Sequence, residues 1–177
     1  MKKSRRQMLL SYNKERQRNL LATPGQHDFV LVLDQLKPGF NVAKIFRSAE
    51  AFGAHAVHLV NIGPFDPGPA KGSFRKVPAR FHATFAECHA LLAAEGYTVY
   101  LLDPDGAESL CDLVLPAKSA FVLGHEEFGF SFDRQDFPAV RSLTIPQFGS
   151  VQSLNVSIAA SVVMYEYGRQ KAVARGG

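Results

Sequence analysis

A mostly parallel α/β sheet flanked by helices is the architecture this sequence predicts, and three observations carry the prediction. Strand-like runs alternate with helical segments along the chain. The runs are apolar at successive positions, as in DFVLVLD (28–34), so both faces of each strand are covered. No internal repeat and no linker divides the 177 residues, a length that suits one domain.

Each element follows in order. DFVLVLD (28–34) is a short apolar run bounded by polar residues, and reads as a buried strand. In 41–52, Val42, Ile45, Phe46, Ala49 and Phe52 fall on one helical stripe, with Asn41 as N-cap and Gly53 as stop. AVHLVNI (56–62) is the next strand. Residues 63–80 hold four Pro and three Gly and read as one long loop, a length that usually serves function or mobility. A helix near 84–95 ends at Gly96, YTVYLLD (97–103) is a strand, and a short helical turn is expected over 107–113. SAFVLG (119–124) and VRSLTIP (140–146) are two more strands, and a final helix runs from about 152 to 170. That helix is apolar on two sides. Val156, Ala159, Ala160, Val163 and Tyr167 form one stripe; Ile158, Val162 and Tyr165 form another. In so short a chain the second stripe is expected to meet a partner subunit.

Composition excludes several classes. No run approaches the ~18 apolar residues of a membrane span, so no membrane partner is expected. Cys88 and Cys111 are too few for a disulfide framework, and neither they nor the six histidines form a metal-binding spacing. The basic start lacks the apolar core of a signal peptide. A reducing, cytoplasmic setting is expected.

Charge is unevenly placed. Residues 1–20 carry seven basic residues, Arg5 and Arg6 among them, against Glu15 alone, although the whole chain has a net charge of only +4. Lys71, Arg75, Lys76 and Arg80 form a second island, with no acid between Asp66 and Glu87. Clustered Lys and Arg are the footprint of a polyanion, because phosphate contacts release counterions. The organisation expected is a basic arm (1–25), a main domain (26–171) and a short tail (172–177).

Ligands of open α/β sheets bind beyond the carboxyl ends of the strands. Three such ends carry polar or glycine-rich sequence: QLKPGFNVAKIFR, GHEEFGFS and QFGSVQSLNVS. G-x-G-x-x-G, the P-loop and the G-x-S-x-G elbow are all absent, which excludes the usual dinucleotide, nucleotide and serine-hydrolase readings. Taken singly, the three segments also fit ordinary turns, caps and a solvated Arg47.

Together they resemble the three motifs of the SpoU, or TrmH-type, RNA ribose methyltransferases of the SPOUT superfamily. The segments are N41-V-A-K-I-F-R47-S-A-E-A-F-G53, L-G124-H-E126-E-F-G129 and I145-P-Q-F-G149-S-V-Q-S153-L154-N155-V-S157. The resemblance spans roughly residues 28–170. It implies a deep C-terminal trefoil knot, a homodimer, and S-adenosylmethionine as methyl donor, leaving S-adenosylhomocysteine, with no metal. It implies a cofactor site at Leu123, Gly124, Ile145, Gln147 and Leu154. It implies methyl transfer to a ribose 2′-hydroxyl of tRNA or rRNA, with Arg47 freeing or orienting the hydroxyl and Asn41 supporting it. Glu126, Ser153 and Asn155 match the polar residues of the second and third motifs. An arginine is an awkward base, since its pKa exceeds ~12, so an electrostatic role stays open. His125 stands where Asn or a small residue is common, and Gln147 replaces a frequent Met. Lys71, Arg75, Lys76, Arg80, Arg5 and Arg6 are the expected RNA contacts. Two alternatives remain: methylation of a base nitrogen on the same fold, and an RNA-binding module without turnover.

Overall fold

The computed structural model describes residues 4–175. Lys2 and Lys3 of the basic arm, and Gly176 and Gly177 of the tail, lie outside the described residues.

Seven parallel strands form the sheet: β1 (Val30–Asp34), β2 (Ala56–Val60), β3 (Ala79–His82), β4 (Thr98–Leu102), β5 (Glu108–Ser109), β6 (Ser119–Leu123) and β7 (Arg141–Thr144). Their spatial order is β3-β2-β1-β6-β4-β7-β5, and every pairing is parallel. Four helices accompany them: α1 (Arg5–Asn19), α2 (Phe40–Ala51), α3 (Phe85–Ala94) and α4 (Val156–Arg175).

The strand alternation divides the core in two. Leu31 and Leu33 of β1 face α2, α4 and Tyr12 of α1, whereas Val30 and Val32 face Phe85, Cys88 and Leu92 of α3. All five residues of β1 are buried. This is the two-sided burial that the continuous apolar runs imply. Phe132 stacks on Phe85 with ring centroids 3.7 Å apart, and Phe137 meets the same ring edge-on, so segment 130–137 closes the α3 side.

Four local expectations are corrected. Residues 63–80 are not one loop: two short 3-10 turns (Gly68–Ala70 and Ser73–Arg75) lead into the edge strand β3. The strand is only four residues long and partly exposed, so it lacks the buried apolar signature. Residues 107–113 contain no helical turn; the two residues of β5 pair with β7 there. The N-cap of α2 is Gly39, which leaves the Asn41 side chain free for the site. α4 starts at Val156, not near 152, and continues through the boundary expected at 171.

The basic N-terminal segment is a docked helix. Ser4 and Gln7 form a capping box at its start. Tyr12 is buried, stacked on Phe74 at 5.7 Å and edge-on to Phe65 at 5.2 Å. Asn19 is buried too: its Nδ2 donates to the carbonyls of Phe74 and Val77, and its Oδ1 accepts from the Ala79 amide at 3.0 Å. One side chain thus ties the end of α1 to the strand entry of β3.

Among the described residues no helix is long and apolar enough to cross a membrane.

Candidate active site

A cavity of about 550 Å³ opens beyond the carboxyl ends of β4, β6 and β7 and against the start of α4. This is where open α/β sheets take ligands. Leu123 and Gly124 follow β6, Ile145 and Gln147 follow β7, and Leu154 precedes α4; all five line the cavity. So do Glu126, Ser153 and Asn155.

Gly124 has no room for a side chain. A Cβ there would stand 2.9 Å from both the carbonyl carbon and oxygen of Gly129. The constraint comes from a tight bridge, in which the His125 amide donates to the Gly129 carbonyl at 2.7 Å and the Gly129 amide returns to the His125 carbonyl at 2.9 Å. His125 Nδ1 then accepts from the amides of Glu127 and Phe128 at 3.0 and 3.2 Å. An Asn side-chain oxygen performs the same turn-capping task, which explains how His serves where Asn is common.

The same loop is braced from below. Asp34, buried at the end of β1, accepts from the amide and the hydroxyl of Ser131, both at 2.7 Å. Burial pushes the Asp34 carboxyl above its ordinary value, while the two Ser131 bonds oppose that shift. Neither Asp34 nor Ser131 was among the residues expected to matter. An acid ending an otherwise apolar strand was the available signal.

Polar residues from all three motifs meet at the rim. Asn41 Nδ2 donates to Glu126 Oε1 at 2.9 Å. Asn155 Nδ2 reaches Asn41 Oδ1 at 3.4 Å, and Asn155 Oδ1 accepts from the amide and hydroxyl of Ser157 at 3.0 and 2.7 Å. Asn41 therefore links Glu126 to Asn155, which is anchored on the first turn of α4. Gln147 Oε1 is buried with no hydrogen-bond partner among the described residues. A buried acceptor left unpaired costs free energy, and this one belongs to a residue lining the cavity.

Not every expected residue joins the cluster. Arg47 is exposed, does not line the cavity, and makes no side-chain hydrogen bond among the described residues. It lies six residues beyond Asn41, about 9 Å along the helix axis and roughly 120° around it. Of the expected RNA contacts, Lys76 pairs with Glu50 at 3.1 Å and Arg80 with Glu95 at 3.0 Å. The acids come from α2 and from the end of α3, so the apparent lack of neutralising acids held only along the sequence. Lys71, Arg75, Arg5 and Arg6 are exposed, with Lys71 capping the first 3-10 turn, Arg75 ending the second and Arg5 and Arg6 opening α1. A fourth strand end was overlooked: Asp103 and Pro104, after β4, also line the cavity. The D-P-D-G turn at 103–106 marks it in the sequence.

A parallel α/β sheet with a glycine-floored cavity at its strand ends, ringed by amide and carboxylate side chains, defines a ligand-binding α/β protein. The chain belongs to the SpoU rRNA Methylase family, whose model matches residues 28–165. The tRNA (guanosine(18)-2′-O)-methyltransferase of Escherichia coli (strain K12) is 30% identical over 150 residues, covering 82% of this chain and 65% of that protein. The chain thus spans slightly less than two thirds of that relative. The SpoU methyltransferase AviRb from Streptomyces viridochromogenes, solved with the cofactor AdoMet, has a TM-score of 0.74 at 26% identity, over 84% of this chain and 60% of that one. A structure described as giving insights into the 2-OH methylation of C/U34 on tRNA has a TM-score of 0.69 at 28% identity. It is matched over 84% of this chain and 99% of that one, so the two are of similar size.

Proposed function

We propose that this chain transfers a methyl group from S-adenosylmethionine to a ribose 2′-hydroxyl of tRNA or rRNA. One observation carries the reading: residues of the second and third motifs line a single cavity, and Asn41 of the first motif is hydrogen-bonded to Glu126 and Asn155 at its rim. The residues present fit the cofactor. Gly124 lets the chain approach a ligand closely, Ile145 and Leu154 offer apolar walls, and Gln147 Oε1 is a buried acceptor awaiting a donor. When bound, the cofactor supplies an already activated sulfonium methyl. This chain's residues then have to align the acceptor and take up its proton.

The Glu126–Asn41–Asn155 chain fixes the rim against which the ribose would lie. Arg47 stands outside its own chain's cavity, on the helix that packs against α4 through the Ser48–Ser161 hydroxyl pair at 2.8 Å. Ile158 and Tyr165 of α4 are 52% and 60% exposed. A second copy covering that stripe would make a homodimer and place Arg47 beside the interface, from which it serves the partner's cavity. Its guanidinium orients the hydroxyl and a neighbouring phosphate as a planar donor. The knot belongs to this reading, as does a cytoplasmic location. α1 carries the charge of the basic segment on a helix docked to the main domain.

The test offers labelled S-adenosylmethionine with tRNA and rRNA fractions, followed by nuclease digestion and mass spectrometry. A 2′-O-methylated nucleoside is the expected product. Label on a base would select base methylation, and cofactor binding without transfer to any RNA would select the binding module.

A further inference from the structure

Away from the cavity, on the other face of the sheet, three metal-ligating side chains converge from three elements. His58 lies on β2, His82 ends β3, and Cys88 is on α3. The ligand atoms of all three lie within 4.8 Å of one another. His58 Nδ1 stands 2.9 Å from His82 Nε2 and 3.6 Å from Cys88 Sγ. We propose that His58, His82 and Cys88 form a three-ligand site for a zinc ion, clamping the edge strand and α3 to the sheet.

The distances are close to those of a shared ion, although without one the two imidazoles are hydrogen-bonded at 2.9 Å. With Zn–N of ~2.05 Å and Zn–S of ~2.3 Å at tetrahedral angles, two nitrogens sit about 3.3 Å apart and a nitrogen and sulfur about 3.6 Å apart. The sulfur–nitrogen separation already matches. The nitrogen–nitrogen separation has to open by a few tenths of an ångström. His82 is on the edge strand and only partly buried, so it can give. The donor set is two imidazoles and one thiol, which suits zinc better than the harder cations. His58 and Cys88 are both fully buried. His58 Nε2 has no partner among the described residues, so the imidazole is not there to serve an internal hydrogen-bond network through both nitrogens. On binding, the Cys88 thiol gives its proton to solvent and its sulfur to the metal. The fourth position falls on the side of half-exposed His82, where water can enter.

The spacing hides the site in sequence, because 24 and six residues separate ligands that only β2–β3 pairing and α3 packing bring together. The site is independent of the cofactor cavity, so its presence or absence leaves the methyltransferase reading untouched.

Cobalt(II) titration of the full chain tests it, since cobalt reports thiolate ligation by an intense near-ultraviolet charge-transfer band and tetrahedral geometry by its visible bands. The chain has only two cysteines, so Cys111→Ser leaves Cys88 the sole thiol. This variant is expected to saturate with one equivalent of cobalt, to show both bands, and to lose them when zinc is added. His82→Gln, at a partly exposed position, should weaken cobalt binding about tenfold or more while circular dichroism stays unchanged. Absence of the charge-transfer band in Cys111→Ser at millimolar cobalt overturns the site. So does a His82→Gln protein that is folded and binds cobalt as tightly as its parent.

Discussion

Replacing Gly124 by alanine adds one methyl group where the backbone leaves no space. The new Cβ would meet the Gly129 carbonyl carbon and oxygen at 2.9 Å and Phe130 Cδ1 at 3.0 Å. Two of those three atoms are backbone and cannot rotate away. The carbonyl being struck is the one that accepts from the His125 amide. The loop must therefore shift, stretching a bridge of two hydrogen bonds worth ~0.5–1.5 kcal/mol each. Overpacking of this kind costs ~1–3 kcal/mol. For a domain of this size each kcal/mol lowers the melting temperature by ~2–4 °C, so Gly124→Ala should melt about 2–12 °C below the parent. Gly124, His125 and Gly129 all line the cavity, and affinity for S-adenosylhomocysteine should fall with stability, by about tenfold for ~1.4 kcal/mol. Differential scanning fluorimetry and titration calorimetry read the two effects. Gly149→Ala is the control, because nothing lies within 4 Å of a Cβ there. A Gly124→Ala protein with parental melting temperature and parental affinity would refute the argument that this glycine is required by close approach.

Further outcomes follow from other parts of the molecule. Arg47→Ala should keep the fold and cofactor affinity while single-turnover methyl transfer drops by ~10²–10⁴, and Arg47→Lys should not restore it; parental transfer rates would remove Arg47 from the mechanism. Ile158→Glu, at a position exposed on one chain, should sediment as a folded monomer and the parent as a dimer; Val162→Glu is a poorer probe because Val162 packs on the chain's own core. Asn19→Ala leaves two carbonyls and one amide unpaired near the start of β3 and should cost about 3 kcal/mol or more in denaturant unfolding, at ~1–3 kcal/mol for each buried unpaired group. The Asp34 carboxyl is held above its ordinary value of 3.8, so the folded state binds that proton more tightly than the unfolded chain does. Its stability contribution is thus full below the unfolded value and shrinks as pH rises through the folded one. Asp34→Asn can accept from the Ser131 amide through its oxygen and donate from its own amide to the Ser131 hydroxyl, and should lose this dependence, so parent and variant melting temperatures should diverge as pH rises from 3 towards 7.

The long elements were legible because their burial is two-sided and leaves a plain pattern. The run Val30–Asp34 and the stripe through Val42, Ile45 and Phe46 need no tertiary knowledge to read. β3 escaped because an edge strand of sequence A-R-F-H after a proline has neither an apolar run nor a clean alternation. β5 escaped because two residues have no periodicity. Asn41 reads as a cap, since Asn favours that position, but Gly39 starts the helix and Glu126 claims the amide. Residues 123–126, 145, 147 and 153–155 of the cavity lie in the second and third motifs, whereas Asp103 and Pro104 lie in none. What could not be read was which side chains touch: Asp34 meets Ser131 across 97 positions, and a contact of that range leaves no local trace. Arg47's isolation from the cavity is likewise a matter of geometry.

The strand order has a consequence for how the chain is made. β1 lies between β2 and β6. Residues 30–82 can assemble β1, β2 and β3 as soon as they emerge, but β1's other edge finds no partner until Ser119–Leu123 has been synthesised. At ~5–20 residues per second, the gap between Asp34 and Leu123 lasts roughly 5–18 s. Throughout that interval the newborn protein carries an open strand edge of Val-Leu-Val-Leu, the kind of surface that recruits another chain's strand. Crowding on a shared messenger, or any pause between codons 82 and 119, lengthens the exposure. Yield in a heterologous host should accordingly depend on translation rate and chaperone supply more than on the melting temperature of the finished molecule.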